Sequence, residues 1–293
     1  MITALDAQPQ EWMEGRENTF HTVAACHFKT LEHLEHWVHR LVPRNQNGEF
    51  VKWSGGRRKP ETRDQFITNC FKCADDLDFQ VNCVSTSEGE MSWFAWAFYM
   101  QNRELVTQRL DAKGRNCLVF KISADKDLQF PVRRAGYLIW YHHVVRYLAE
   151  VQKITGQLIS DNFANDEQGP GDGKALGVSF VNFLLAQSKS ELRVSLPVTE
   201  RYKSCDRLSD YFCGWVNTVR CKTATPLHEQ KLSELESRPT RFLESVIFAT
   251  NLSVVDEHGN DVTAAVKAAV ANGAANSSMQ PRREEPRAAD TER

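Results

Sequence analysis

Long apolar runs are missing from this chain, and so is a secretory pattern. No segment approaches the ~20 apolar residues that a bilayer-crossing helix needs, and MITALDAQPQ carries Asp6 where a signal peptide would carry basic and then greasy residues. The expectation is a soluble, cytoplasmic protein with no membrane partner. An excess of one charge is missing too. With 36 basic against 38 acidic residues the formal net charge is −2, so no global field attracts a polyanion and any nucleic-acid contact must come from local patches. There is no GxSxG, GxxxxGK[ST], HExxH or GxGxxG, which sets aside the commonest serine-hydrolase, P-loop, zincin and dinucleotide-binding designs. Cysteine is not concentrated: eight are spread over 293 residues, a pattern of reduced thiols. Cys70 and Cys73 form a CxxC without a second close pair, and read as small apolar residues on a helix rather than a zinc site.

What is present is enough apolar material for a sizeable core, 41% of the residues against 25% charged. ITALDA and FHTVAACHF read as an antiparallel strand pair joined by a polar loop. Leu31, Leu34, Val38 and Leu41 recur at helical spacing up to Pro43, and FVKWS follows as a short extended run. Phe66, Cys70, Cys73 and Leu77 mark a helix over 61–77, before the strand DFQVNCVST. The aromatic SWFAWAFYM fits either a helix or a strand ribbon, NCLVFKISA reads as a strand, and 131–153 reads as a long helix opened by Pro131. QLIS is a short strand ending at Asp161, Ala175 to Gln187 a helix, Leu192 to Val198 a strand, and a helix starts near Asp206. This interleaving predicts an α/β fold, a mixed sheet covered by helices. The expected organisation is one domain over 1–225, a helical and strand extension over 226–271 with two short helices and a turn-bearing strand pair, and a disordered tail over 272–293.

Acids recur where elements end. Asp6 closes the first strand, Asp161 follows a strand of the second half, with Asp166 as an alternative in the same loop, and Asp210 rides the helix RLSDYFCGW. Adjacent first and later strands would bring these three carboxylates to one edge. Like charges so close raise one another's pKa, and a hard divalent cation relieves them. Mg2+ or Mn2+ in such a cluster serves in-line attack on a phosphodiester, the chemistry of a nuclease. Asp206, one turn before Asp210, reads as a helix cap or a water-mediated metal contact. Two basic patches offer phosphate contacts: Lys52 with Arg57 and Arg58 of GGRRKPETR, and Arg133 with Arg134 of PVRRAGY. His33, His36 and His39 read as a polar helix face, and GPGDGKALG as a surface connection.

In order of elements, the chain resembles the domain-of-unknown-function 3800 family, whose members look like diverged ribonuclease-H-like proteins. ALDAQPQEWMEGRENTFHTVAACHF resembles the family's opening strand with Asp, loop and apolar strand; EFVKWSGG resembles its Lys-Trp motif; RLSDYFCGW resembles its late helix. The resemblance spans most of 1–221 and implies Asp6, Asp161 and Asp210 as catalytic metal ligands for Mg2+ or Mn2+, acting on RNA or DNA. The chain also departs from the family. Ala7 and Gln8 stand where Glu and Ser follow the first Asp, Phe50 stands where Glu often precedes the Lys, leaving Glu49 as the nearby acid, and Arg207 stands where Gln is common. Those departures imply an alternative: a catalytically degenerate module that binds protein partners in a multi-protein assembly, of a mobile-element or anti-phage kind, through WFAWAFYM and the region 226–248.

Overall fold

The computed structural model describes residues 1–8, 20–53, 60–112, 114, 116–123, 126–151, 154, 157–160, 174–195, 206–237, 242–246 and 258–271. Strand β1 (Ile2–Gln8) pairs antiparallel with β2 (Phe20–Phe28), and β2 antiparallel with β3 (Gln80–Ser87). On the other side of β1 lies β7 (Gln157–Ser160), parallel to it, then β8 (Val194–Ser195), parallel to β7. The far edge of β3 carries β9 (Phe242–Val246), also parallel, so the six-stranded order is β8-β7-β1-β2-β3-β9. A separate antiparallel sheet joins β4 (Val106–Leu110), β5 (Asn116–Ser123) and β6 (Lys126–Pro131). The chain is therefore a mixed α/β protein, as its interleaved pattern predicts.

Both faces of the large sheet are buried, and strand alternation decides what each one meets. Leu5, Ala7, Val23, Ala25 and Val84 point into one core, filled by α3 (Glu88–Gln101), α4 (Val132–Val151), α5 (Lys174–Gln187) and the small sheet. Ala4, Ala24, Cys26 and Cys83 point into the other, filled by α1 (Leu31–Leu41), α2 (Pro60–Lys72), α6 (Arg207–Arg220) and α7 (Pro226–Glu236). By the same alternation Asp6 and Gln8 share the face of Ala4, under α6. The helices start where local chemistry supplies orphan N–H groups with acceptors: Thr30 caps α1, Ser87 and Glu90 form a capping box on α3, and Thr225 caps α7 ahead of Pro226.

Several elements differ from the sequence reading for identifiable reasons. SWFAWAFYM is helical, and apolar nearly all round because α3 is packed between the sheet, α4 and α8 (Thr263–Ala271). Trp93, Phe94 and Ala97 are core, and Trp96, Phe98, Tyr99 and Met100 are partly buried against it. Pro131, expected in the first turn of a helix, instead ends strand β6, whose Leu128 and Phe130 alternate into the first core, and α4 starts at Val132. FLESV is an edge strand rather than a second short helix, because the backbone of β3 offers it a parallel ladder. FVKWS forms only the bridge Arg44–Phe50, and the strand expected to run to Val198 is described at Val194–Ser195 alone. The expected tail and most of the expected strand pair before it lie outside the described residues. No described helix is long and apolar enough to cross a membrane.

Burial favours the neutral ring at three histidines, His142 buried and His27 and His143 partly so. Burial lowers His27 from the ordinary 6.5 to about 4. Burial, with nearby positive charge, lowers His142 to about 2 and His143 to about 3. The folded state resists protonating these rings while the unfolded chain does not, so their contribution is intact above pH 6.5 and is lost as the pH falls below it. Each ring should cost about 1.4 kcal/mol per pH unit within that window. Urea unfolding from pH 7 to 4.5 should show a steep decline, and His27→Gln should flatten it by one ring's share; an unchanged slope would remove His27 from the account.

Candidate functional site

Helix α6 lies across β1, β2 and β3 with Asp210, Cys213, Gly214, Asn217 and Cys221 on the face that meets them. The spacing of three, four, seven and eleven from Asp210 is one helical stripe, and each of these residues has a specific contact beneath it. The Cys213 thiol donates to the Thr22 carbonyl at 2.9 Å. The Asn217 amide donates to the carbonyls of Gln8, 3.0 Å, and Phe20, 2.6 Å, holding the end of β1 beside the start of β2. Cys221 accepts from the Phe20 N–H at 3.4 Å. These bonds fix the helix register, and with it the place of Asp210.

Asp6 and Asp210 meet inside this layer. Their side chains are 2% and 4% exposed, and their carboxyl groups hydrogen-bond each other, which requires one proton shared between two acids. Asp6 Oδ1 also accepts from the Ala7 N–H at 2.8 Å. Asp210 Oδ1 accepts from Gln8 Nε2 at 2.6 Å, and Oδ2 from the Trp53 N–H at 2.7 Å. Burial holds the Asp210 carboxyl above the usual carboxylate range, against the opposing pull of the Trp53 N–H, Asp6, Lys52 and Arg207. Desolvation therefore outweighs all the donors gathered around it.

The Trp53 N–H reaches Asp210 because the indole is clamped. Arg63 donates through Nε and Nη2 to the Trp53 carbonyl at 3.2 and 3.0 Å, and its guanidinium lies 4.4 Å from the ring centre. On the other side the ring rests on Gly214, where a Cβ would stand 2.1 Å from Trp53 Cδ1. That approach explains a glycine inside a helix.

Of the residues singled out from the sequence, Asp6 and Asp210 come together, and exposed Lys52 lies close enough to act on the Asp210 charge. β7 reaches Ser160, which pairs with Leu5, the neighbour of Asp6; Asp161, the next residue, lies outside the described residues, as do Asp166, Arg57 and Arg58. The side chain of Arg133 is likewise outside them. Arg134 sits on α4, against the opposite face of the sheet, 5.0 Å from the Tyr137 ring centre. Glu49 closes a surface turn, accepting from Asn45 Nδ2 at 2.8 Å. Asp206 stands at the cap position without capping: its carboxylate takes Arg207 at 3.0 Å and is 3% exposed. Gln8, Trp53, Arg63, Gly214 and Asn217 escaped the sequence reading. Gln8 was legible from its two-residue spacing to Asp6, and Gly214 from its place one turn beyond Asp210.

Among the described residues no group of three or more His, Cys, Asp or Glu side chains converges as a metal site. The pair that does converge offers carboxylate oxygens, beside a Cys213 thiol that burial holds well above its ordinary pKa and so protonated. Such a donor set suits a hard cation such as Mg2+ or Mn2+ and not a thiophilic one. Comparison with protein-family models, curated proteins and solved structures finds no match.

Gly214→Ala should force Trp53 off the helix and loosen the N–H held on Asp210. An overpacking cost of about 1–3 kcal/mol is expected, read by urea unfolding with a parallel change in tryptophan fluorescence. A variant as stable as the parent, with an unchanged spectrum, would show that the Trp53 contact does not hold this loop.

Proposed function

We propose that the chain is a divalent-metal-dependent nuclease of ribonuclease-H-like fold, hydrolysing phosphodiester bonds of RNA or DNA, with Asp6 and Asp210 as metal ligands and Asp161 as a third. The observation that carries this reading is the buried contact between acids 204 positions apart, one on a central strand and one on a late helix. Two carboxyl groups enclosed together are costly unless a proton or a cation lies between them. The strand order supports the same reading: β7 lies parallel beside β1, so the residue after Ser160, Asp161, follows the strand that neighbours the one carrying Asp6.

When bound, Mg2+ or Mn2+ would supply an activated water and charge neutralisation for in-line attack at phosphorus. The residues of the chain supply the rest. Asp6 and Asp210 hold their oxygens at one place, because strand alternation aims the first and the α6 register aims the second. The Trp53 N–H and Gln8 amide fix the orientation of the Asp210 carboxylate. Lys52, exposed and close enough to act on the Asp210 charge, would meet a phosphate, and the basic segment with Arg57 and Arg58 continues from it in sequence. Contacts of this kind give affinity without base preference.

A second reading has one observation in its favour. Both Asp210 oxygens are already met by N–H donors, as suits a site that has given up its cation and kept its fold for binding a protein partner. Asp210→Asn separates the two. Incubated with labelled RNA and DNA and Mn2+, the variant should lose cleavage by more than the roughly 10–100-fold typical of losing an outer-shell partner, while its melting temperature in chelator stays level or rises as a buried charge is removed. Equal, metal-dependent cleavage by both proteins would reject Asp210 as a ligand, and no cleavage by the parent would favour the second reading.

A further inference from the structure

The residue between the acids and the solvent is not itself an acid. Gln8 follows Asp6 by two positions on β1, so both side chains leave the same face, and Gln8 is half-buried where Asp6 and Asp210 are enclosed. Its backbone is fixed by two contacts: the β1–β2 ladder pairs Gln8 with Thr22, and the Asn217 amide donates to its carbonyl at 3.0 Å. From that fixed point its amide reaches Asp210 Oδ1 at 2.6 Å, at the short end for an N–H donor on a carboxylate. A glutamate has the same length and shape as glutamine, so at this position it would set a third carboxylate against the pair.

Resting on the cation reading of the site, we infer that Gln8 is the positioning residue that sets how strongly the Asp6–Asp210 pair holds a divalent cation. Its neutral amide occupies an oxygen of Asp210 that a cation would otherwise use, and it withholds the charge that the same frame would give with an acid. Cation affinity at oxygen sites follows the number of charged ligands and the rigidity of their frame, and here one uncharged donor controls both. The amide also lets the pair stay enclosed without a cation, because it supplies Asp210 with a donor where a carboxylate would repel it.

The test uses the full chain and Mn2+ alone, with free Mn2+ read by electron paramagnetic resonance and melting temperature read in chelator and in Mn2+. Gln8→Glu should bind Mn2+ at least about tenfold more tightly than the parent, in line with a gain in ligand charge, and should melt lower in chelator and recover with Mn2+. Gln8→Met, which keeps the length and removes the amide without adding charge, should show no comparable gain. Should Gln8→Glu fail to fold without a cation, the combination Gln8→Glu with Asp210→Asn answers the same question, since it exchanges acid and amide across one hydrogen bond at constant charge. That combination should bind Mn2+ within about threefold of the parent where Asp210→Asn alone binds far less, the site again carrying the parent's number of charged ligands. Unaltered affinity in Gln8→Glu, an equal gain in Gln8→Met, or no recovery in the combined variant would overturn the inference. The cation reading is judged separately: parent binding lost in Asp210→Asn sustains it whatever Gln8→Glu does, and binding by Gln8→Glu alone would support the role of Gln8 while removing a cation from the parent.

Discussion

A carboxyl group that the fold encloses almost completely has to be met by something, and the structure around Asp210 is organised by that requirement. Charge is expensive away from water, and Asp210 has little water. The answer comes from three parts of the chain: the Asp6 carboxyl and the Gln8 amide from the first strand, the Trp53 N–H and the Lys52 charge from the loop after α1, and the Arg207 charge from α6 itself. These do not offset burial fully, since the group keeps a raised pKa. The residual cost is held in place by the apolar packing of Leu208, Tyr211, Phe212 and Trp215, which gives α6 no alternative seat.

The two cores and the polar stitches divide the work. Burial of Leu, Val, Phe and Trp side chains on both faces supplies the driving force, because apolar area removed from water is the largest favourable term available. That force is indifferent to register. Register comes from groups whose loss would leave a buried polar atom unmet: Asn217 on the Gln8 and Phe20 carbonyls, Cys213 on the Thr22 carbonyl, Arg63 on the Trp53 carbonyl. A slip of α6 by one residue would break the Asn217 and Cys213 bonds and swing Asp210 about 100° away from Asp6. The side chain of Gly214 is absent for the same reason, since the indole that carries the Trp53 N–H rests where a Cβ would be.

Much of this was open to reading in advance, and the rest was hidden for physical reasons. The α/β interleaving, the first strand pair, α1, α2 and α6 follow from periods of two and 3.6, and the pairing of Asp6 with Asp210 follows from acids placed on otherwise apolar elements. What periodicity misses is partner choice. The short strands β6 and β9 lack a strong pattern of their own and become strands because β5 and β3 offer them a ladder. Gln8 looks like a polar strand end until α6 is seen above it, and Trp53 takes part through its backbone, where side-chain identity leaves no trace. Asp206 misled in the opposite direction. Its position says cap, yet Arg207 beside it takes the carboxylate.

The functional account turns on whether the enclosed acids are a cation site or only a proton-sharing pair. Strand order and the meeting of Asp6 with Asp210 support the first, and the amide donors on Asp210 show how the same frame tolerates the second. Anomalous diffraction from crystals grown with Mn2+ addresses this directly. The account predicts a peak within coordinating distance of both carboxylates, about 2 Å from their oxygens as hard cations require. Full-length crystals in Mn2+ with Asp6 and Asp210 still bonded to each other and no peak beside them would contradict it.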